Sequence, residues 1–102
     1  MHYTPVTADE FAAEHLSDWH LTDGVIRADF RAGSFPDAGA LVPLIAAAAQ
    51  AIDHHPDIDV RFPDHVLVTL TTHDAHGLTT HDIDLARTIS RLAAEAGAHA
   101  AR

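Results

Sequence analysis

The chain has 102 residues, 47% of them apolar and 21% charged, and no cysteine. It reads as one soluble domain, 1–102, without a disulfide framework or a thiolate metal site, and so small a domain gains from oligomerisation. Six Lys and Arg against fifteen Asp and Glu leave a net charge of −9 with neutral histidines, which argues against direct nucleic-acid or membrane-surface binding.

No apolar run approaches the ~18 residues of a membrane span. The opening MHYTPVTADE lacks the basic region and apolar core of a secretory signal. The expected location is the cytoplasm.

Along the chain, Thr7 and Glu10 form a capping box, and Phe11, Ala12, His15, Leu16 and Trp19 follow helical spacing, predicting a helix over 8–17. WHLTDGVIRADFR predicts a hairpin turning at Asp23-Gly24, with Ile26, Ala28 and Phe30 facing inward. DAGALVPLIAAAAQAIDHH predicts a second helix with an apolar stripe of Leu41, Leu44, Ile45, Ala48 and Ile52. Pro43 implies either that the regular helix starts near Leu41 or that it kinks. Pro56 ends it, which puts His54 and His55 at the helix C-terminus.

DIDVRFPDHVLVTLTTH predicts a second hairpin turning at Pro63-Asp64. Its second strand alternates from Val66 and places His73 on the polar side with Thr69 and Thr71. Thr79 and Asp82 form another capping box, opening a third helix over roughly 80–96 that stops before Gly97; the tail AHAAR is expected to fray. The order α-β-β-α-β-β-α and the short hairpins predict an α+β fold, a four-stranded antiparallel sheet with three helices on one face.

Ten histidines invite a functional reading. His54 and His55 stand where the helix dipole favours a positive charge by ~0.3–1 kcal/mol, which suits a general acid. His73 precedes the bendable HDAHG, and Asp82 starts the third helix. A histidine at a helix end is more often a cap or a solvated side chain, and Asp82 has a capping role in any case. His2 and His99 belong to the termini; His15, His20 and His65 read as structural or exposed; His76 and His81 fall in the loop before the third helix. Three histidines and a carboxylate could hold zinc, but no H-x-x-x-H or H-E-x-x-H spacing occurs, so no metal is expected.

IDHHPDIDVRF followed by VTLTTHDAHGLTTHDIDLA resembles the pterin-4a-carbinolamine dehydratases, also called 4a-hydroxytetrahydrobiopterin dehydratases, from Trp19 to about Ala96. The resemblance implies a cofactor-free hydro-lyase, homodimeric or homotetrameric, that dehydrates a 4a-hydroxytetrahydropterin to quinonoid dihydropterin and water. The pterin comes from aromatic amino-acid hydroxylases, which makes such a hydroxylase a candidate partner. By position it implies His54, His55 and His73 as catalytic histidines, with Asp82, Pro56 and Thr72 at the substrate. His54 and His73 are expected to transfer protons and His55 to orient the pterin, with Asp82 positioning His73 or the substrate.

The chain departs from the family's pattern in three places. Gln50 stands where a charged residue, often Glu, precedes the histidine pair, and the stretch from Phe62 to His73 is one residue longer; an extra residue in the turn would preserve strand facing. Ile58 replaces an aromatic common in active members. The alternative is a weak or inactive dehydratase-like protein acting as an interaction or regulatory module.

Overall fold

A computed structural model describes residues 3–101. Met1, His2 and Arg102, and the expectations that touch them, lie outside the described residues. The elements are α1 (Ala8–Ala13), β1 (His20–Thr22), β2 (Val25–Arg31), α2 (Phe35–Ala51), β3 (Asp57–Arg61), β4 (His65–Leu70), a 3-10 turn (His73–Ala75), α3 (Thr80–Glu95) and β5 (His99–Ala100). They form the expected α+β arrangement, an antiparallel sheet in the order β1-β2-β4-β3, with β5 added beside β2.

The core grows from the pleat. Ile26, Ala28 and Phe30 of β2 stand opposite Leu70, Val68 and Val66 of β4, and all six are buried. Over them pack Ala38, Leu41, Ile45 and Ala49 of α2 and Leu85, Ala86, Ile89 and Ala93 of α3. Each large apolar side chain removed from water contributes about 1.5–3 kcal/mol. Trp19 closes one end, edge-on to Phe30 and donating its indole N–H to Ser90 Oγ at 2.9 Å. At the β1–β2 turn Asp23 and Gly24 both have positive φ, 52° and 75°, the left-handed pair that a two-residue hairpin requires.

Several elements differ from the sequence reading. α1 stops at Ala13, short of 17, because His15 is left-handed (φ 55°) and no α1 residue is buried to hold a longer helix. α2 starts at Phe35, capped by the Ser34 hydroxyl on Asp37 N–H, and runs through Pro43. The proline is tolerated on the exposed face, opposite the buried positions, where the missing backbone hydrogen bond can be met by water. Leu44 and Ile52 point outward; the buried stripe is Ala38, Leu41, Ile45 and Ala49.

At the far end of the chain the tail is not frayed through Ala101. Gly97 (φ 80°) turns it back, Ala98 is buried, and β5 pairs Ala100 with Phe30 and His99 with Arg31. β4 ends at Leu70, so His73 stands beyond the strand on the 3-10 turn. His81 lies inside the first turn of α3 rather than in the preceding loop. His65, half-buried, binds Asp29 through Nδ1 at 2.9 Å.

The β3–β4 hairpin turns through Phe62, Pro63 and Asp64, and pairing runs unbroken from Arg61↔His65 to Asp57↔Thr69. No bulge interrupts it, as an insertion confined to the turn requires. Asp64 pins this turn to β2: its carboxylate accepts from Arg31 Nε at 2.8 Å and from Gly33 N–H at 2.8 Å. The Arg31 guanidinium first, then the Gly33 N–H, hold its carboxyl below the usual carboxylate range. A group lowered on folding stabilises fully above its unfolded pKa, near 4, and loses that contribution as pH falls through the lower folded value. Urea midpoints at neutral pH and below pH 4 should therefore drop less on acidification for Asp64→Asn than for the wild type; an equal drop would remove Asp64 as a source of acid sensitivity.

Candidate active site

Helix α2 ends in a tight reversal that sends its last residues in two directions. Asp53 N–H donates to the Gln50 carbonyl at 3.2 Å and His54 N–H to the Ala49 carbonyl at 3.0 Å, with Asp53 itself left-handed at φ 52°. This is a Schellman termination with an aspartate in the place glycine usually takes. His54 and His55 thus lie just past the helix, not within it. The reversal turns His54 inward, 7% exposed, and leaves His55 at the surface.

Beneath His54 lies Asp82, 0% exposed, on the first turn of α3. Asp82 Oδ1 meets His54 Nε2 at 2.6 Å. Its Oδ2 accepts from the Thr72 hydroxyl at 2.7 Å and from the Thr79 backbone N–H at 2.9 Å. With the Thr72 proton committed to Asp82, the Thr79 hydroxyl, 2.8 Å away, donates to Thr72 Oγ1.

An ionised carboxylate only accepts, so against the Asp82 carboxylate Nε2 of His54 carries a hydrogen. No described residue binds Nδ1 of His54, and the ring borders the cleft above. Neutral, it accepts a proton; charged, it donates one.

That cleft holds about 230 Å³ and is bordered by Tyr3, Asp53, His54, His55, Thr71, Thr72, His73 and Asp74. The three candidate histidines and Thr72 converge on it. His55 Nε2 donates to Gln50 Oε1 at 2.9 Å, so the glutamine in the family's acidic position still holds this ring, through a neutral acceptor. His73 is exposed at the start of a loop closed by reciprocal backbone bonds between Thr72 and Gly77, at 3.1 and 3.4 Å. Thr71 ties the loop's base to the β1–β2 turn, its hydroxyl donating to the Gly24 carbonyl at 2.9 Å.

Asp82 and Pro56, both expected at the substrate, stand apart from the cleft lining. Asp82 touches neither His73 nor the cleft, because it is consumed by His54, Thr72 and Thr79 below the floor. Pro56 is half-buried but is not part of the cleft wall. Tyr3, Asp53, Thr71 and Asp74 are wall residues that the sequence reading missed; Asp53 adjoins the histidine pair, whereas nothing in the sequence ties Tyr3 to a site more than fifty residues away. Among the described residues no group of three or more His, Asp or Glu side chains is arranged to hold a metal ion, and no helix is long and apolar enough to cross a membrane.

The family model described as pterin 4 alpha carbinolamine dehydratase matches residues 4–92. The chain belongs to this family. A relative from Nocardia farcinica is 50% identical over 82 residues, covering 80% of this chain and 85% of its own. One from Herpetosiphon aurantiacus is 44% identical over 85 residues, covering 83% and 88%. Both carry pterin-4-alpha-carbinolamine dehydratase, a hydro-lyase, as a provisional name. The crystal structure of a transcriptional coactivator/pterin dehydratase from Brucella melitensis superposes with a TM-score of 0.79 at 29% identity, covering 88% of this chain and 99% of that one. Within the pterin dehydratase family match fall His54, His55, His73, Thr72 and Asp82, the residues that the cleft and its floor bring together.

Proposed function

We propose that the protein dehydrates a 4a-hydroxytetrahydropterin to quinonoid dihydropterin and water, by proton transfer between histidines. The supporting observation is the cleft bordered by His54, His55 and His73, with His54 held through Nε2 on a fully buried carboxylate.

Loss of the 4a-hydroxyl breaks a C–O bond and needs a proton on the departing oxygen. A ring nitrogen of the pterin gives up a proton as the imine forms, so proton count is conserved across the step. In this reading His54 Nδ1 and His73 serve as the two proton-transfer groups, since imidazole changes charge near neutral pH. His55, tethered by Gln50, orients the pterin, and Thr72 lines the floor beside it. Asp82 acts through His54: it fixes the tautomer and stabilises the imidazolium that forms. Purified protein should accelerate decay of 4a-hydroxytetrahydropterin, followed by absorbance, well above the buffer rate. Decay at the uncatalysed rate would remove this reading.

The expected homo-oligomer has a candidate surface on α2. Phe35, Leu44 and Ile52 are 52%, 47% and 43% exposed, and the helix carries only Asp37 and Gln50 as polar side chains. On a chain of net charge −9 this is a strip with a single charge, Asp37, and a helix apolar on both faces is ordinarily buried on both. The face of α2 opposite its buried positions carries Ala40, Pro43, Leu44 and Ala47, all exposed, a small apolar surface that a second copy of the helix could cover about a two-fold axis. Light scattering should find a dimer or larger assembly that Leu44→Glu dissociates. A monomeric wild type would sink the self-association reading; a foreign protein bound to this strip, without pterin turnover, would favour the interaction-module alternative.

A further inference from the structure

The site has a second aromatic layer that the proton-transfer scheme does not use. His81, on the first turn of α3, sets its ring edge-to-face with His54, with centroids 5.6 Å apart and planes at 66°. Tyr3 packs against the same His81 ring in the same way, at 5.2 Å and 79°. Tyr3 in turn borders the cleft. The order is continuous: cleft, Tyr3, His81, His54, Asp82.

Tyr3 is held there by backbone. The Thr4 carbonyl accepts from Thr80 N–H at 3.0 Å, Val6 N–H donates to the Leu78 carbonyl at 2.9 Å, and Pro5 pairs with Thr79. The N-terminal segment is thus laced to the residues that open α3, and Thr79 belongs to the Asp82 network as well. Three further observations make this more than a packing accident. The anchoring bonds are main-chain bonds, which fix the path of the chain whatever side chain stands at position 3. The ring that this path delivers is one of only six Phe, Trp and Tyr residues in the chain. And Tyr3 precedes the stretch that the family model matches, so the shared pattern assigns it nothing.

We propose that Tyr3 is a substrate-binding residue whose ring forms an aromatic wall against the fused ring of the pterin, and that His81 is a positioning residue that couples this wall to His54. The proposal rests on the pterin reading above. The conjugated amino-pyrimidinone portion of a reduced pterin presents a nearly flat π face, which gains from contact with a tyrosine ring in offset or edge geometry. His81 has no hydrogen-bonding partner among the described residues; its fixed neighbours are the two rings. It therefore limits how far the His54 ring can tilt about its single bond to Asp82.

Calorimetric titration with a reduced pterin that lacks the 4a-hydroxyl, alongside steady-state turnover, tests both parts on the full chain. Tyr3→Ala should weaken Kd and raise KM roughly 3- to 10-fold with kcat within about 2-fold, the range an aromatic contact supplies. Tyr3→Phe, which keeps the ring, should restore both. His81→Ala should lower kcat more than it changes KM, and should shift or broaden the His54 signals in ¹⁵N-imidazole NMR.

Tyr3→Ala binding as tightly as the wild type would overturn the wall, and unchanged His54 signals in His81→Ala would overturn the positioning role. The two readings fail separately. Wild-type protein that binds the pterin without turning over substrate removes the dehydratase reading, while Tyr3→Ala must still weaken Kd. Wild-type protein that binds no pterin overturns the wall.

Discussion

Asp82→Asn is expected to fold yet lose about 10²–10⁴-fold in turnover, with a stability loss of only about 1–2 kcal/mol. An asparagine offers one carbonyl oxygen and one amide NH₂. Thr72 and Thr79 both present hydrogens to Asp82 Oδ2, so the carbonyl turns to them and the NH₂ turns to His54. Nε2 must then accept, which moves the ring hydrogen to Nδ1 and closes its lone pair. Asp82→Ala is harsher: His54, Thr72 and Thr79 all lose their shared acceptor below a sealed floor, at about 3–5 kcal/mol, a large fraction of the 5–15 kcal/mol that holds most domains together. Urea melts, initial rates and ¹⁵N-imidazole NMR on the two variants separate the electronic effect from the structural one. An Asp82→Asn protein turning over like wild type would show that the His54 tautomer does not matter to the reaction.

The second large effect contrasts two histidines in unlike settings. His54→Ala should lower kcat/KM by about 10²–10⁴ and also cost about 1–3 kcal/mol, because Asp82 Oδ1 is left buried without its donor. His73→Ala should lower kcat/KM by at least about 10² while leaving the urea midpoint within about 0.5 kcal/mol of wild type. His73 is exposed, and its loop is closed by main-chain bonds rather than by its ring. Stability and rate thus move together for one residue and apart for the other. If His73→Ala kept the wild-type rate, His73 would be a solvated side chain at the cleft mouth and the second proton-transfer group would have to be sought elsewhere, with His55 first.

Much of this could be read along the chain because it is encoded locally. The alternation Ile26, Ala28, Phe30 and Val66, Val68, Leu70 names the buried sheet face from period alone, and Asp23-Gly24 and Thr79-x-x-Asp82 mark a turn and a helix start through backbone chemistry. What failed depends on contacts distant in sequence. The β5 pairing needs β2 beside it, and nothing in AHAAR announces that. Leu44 and Ile52 obey helical spacing as well as Leu41 does; only the orientation of α2 on the sheet decides which side is buried. Asp82 shows the limit most clearly, since its capping role is visible in four residues while its bond to His54 spans twenty-eight. Tyr3 reaches the cleft through a strand-like pairing with residues 78–80 that carries no sequence signature.

The Asp82 network also bears on how this protein fails. Its donors come from three stretches: the reversal after α2, the end of β4, and the start of α3. None is sequence-adjacent to another, so no partly ordered intermediate that lacks one of them can keep His54 oriented. A chain that frays at either end retains its cleft floor, but a chain that opens between α2 and α3 loses it whole. Loss of the oriented His54 on heating and global unfolding should therefore be a single event for this protein, with no warm regime in which the fold survives and the His54–Asp82 pair does not.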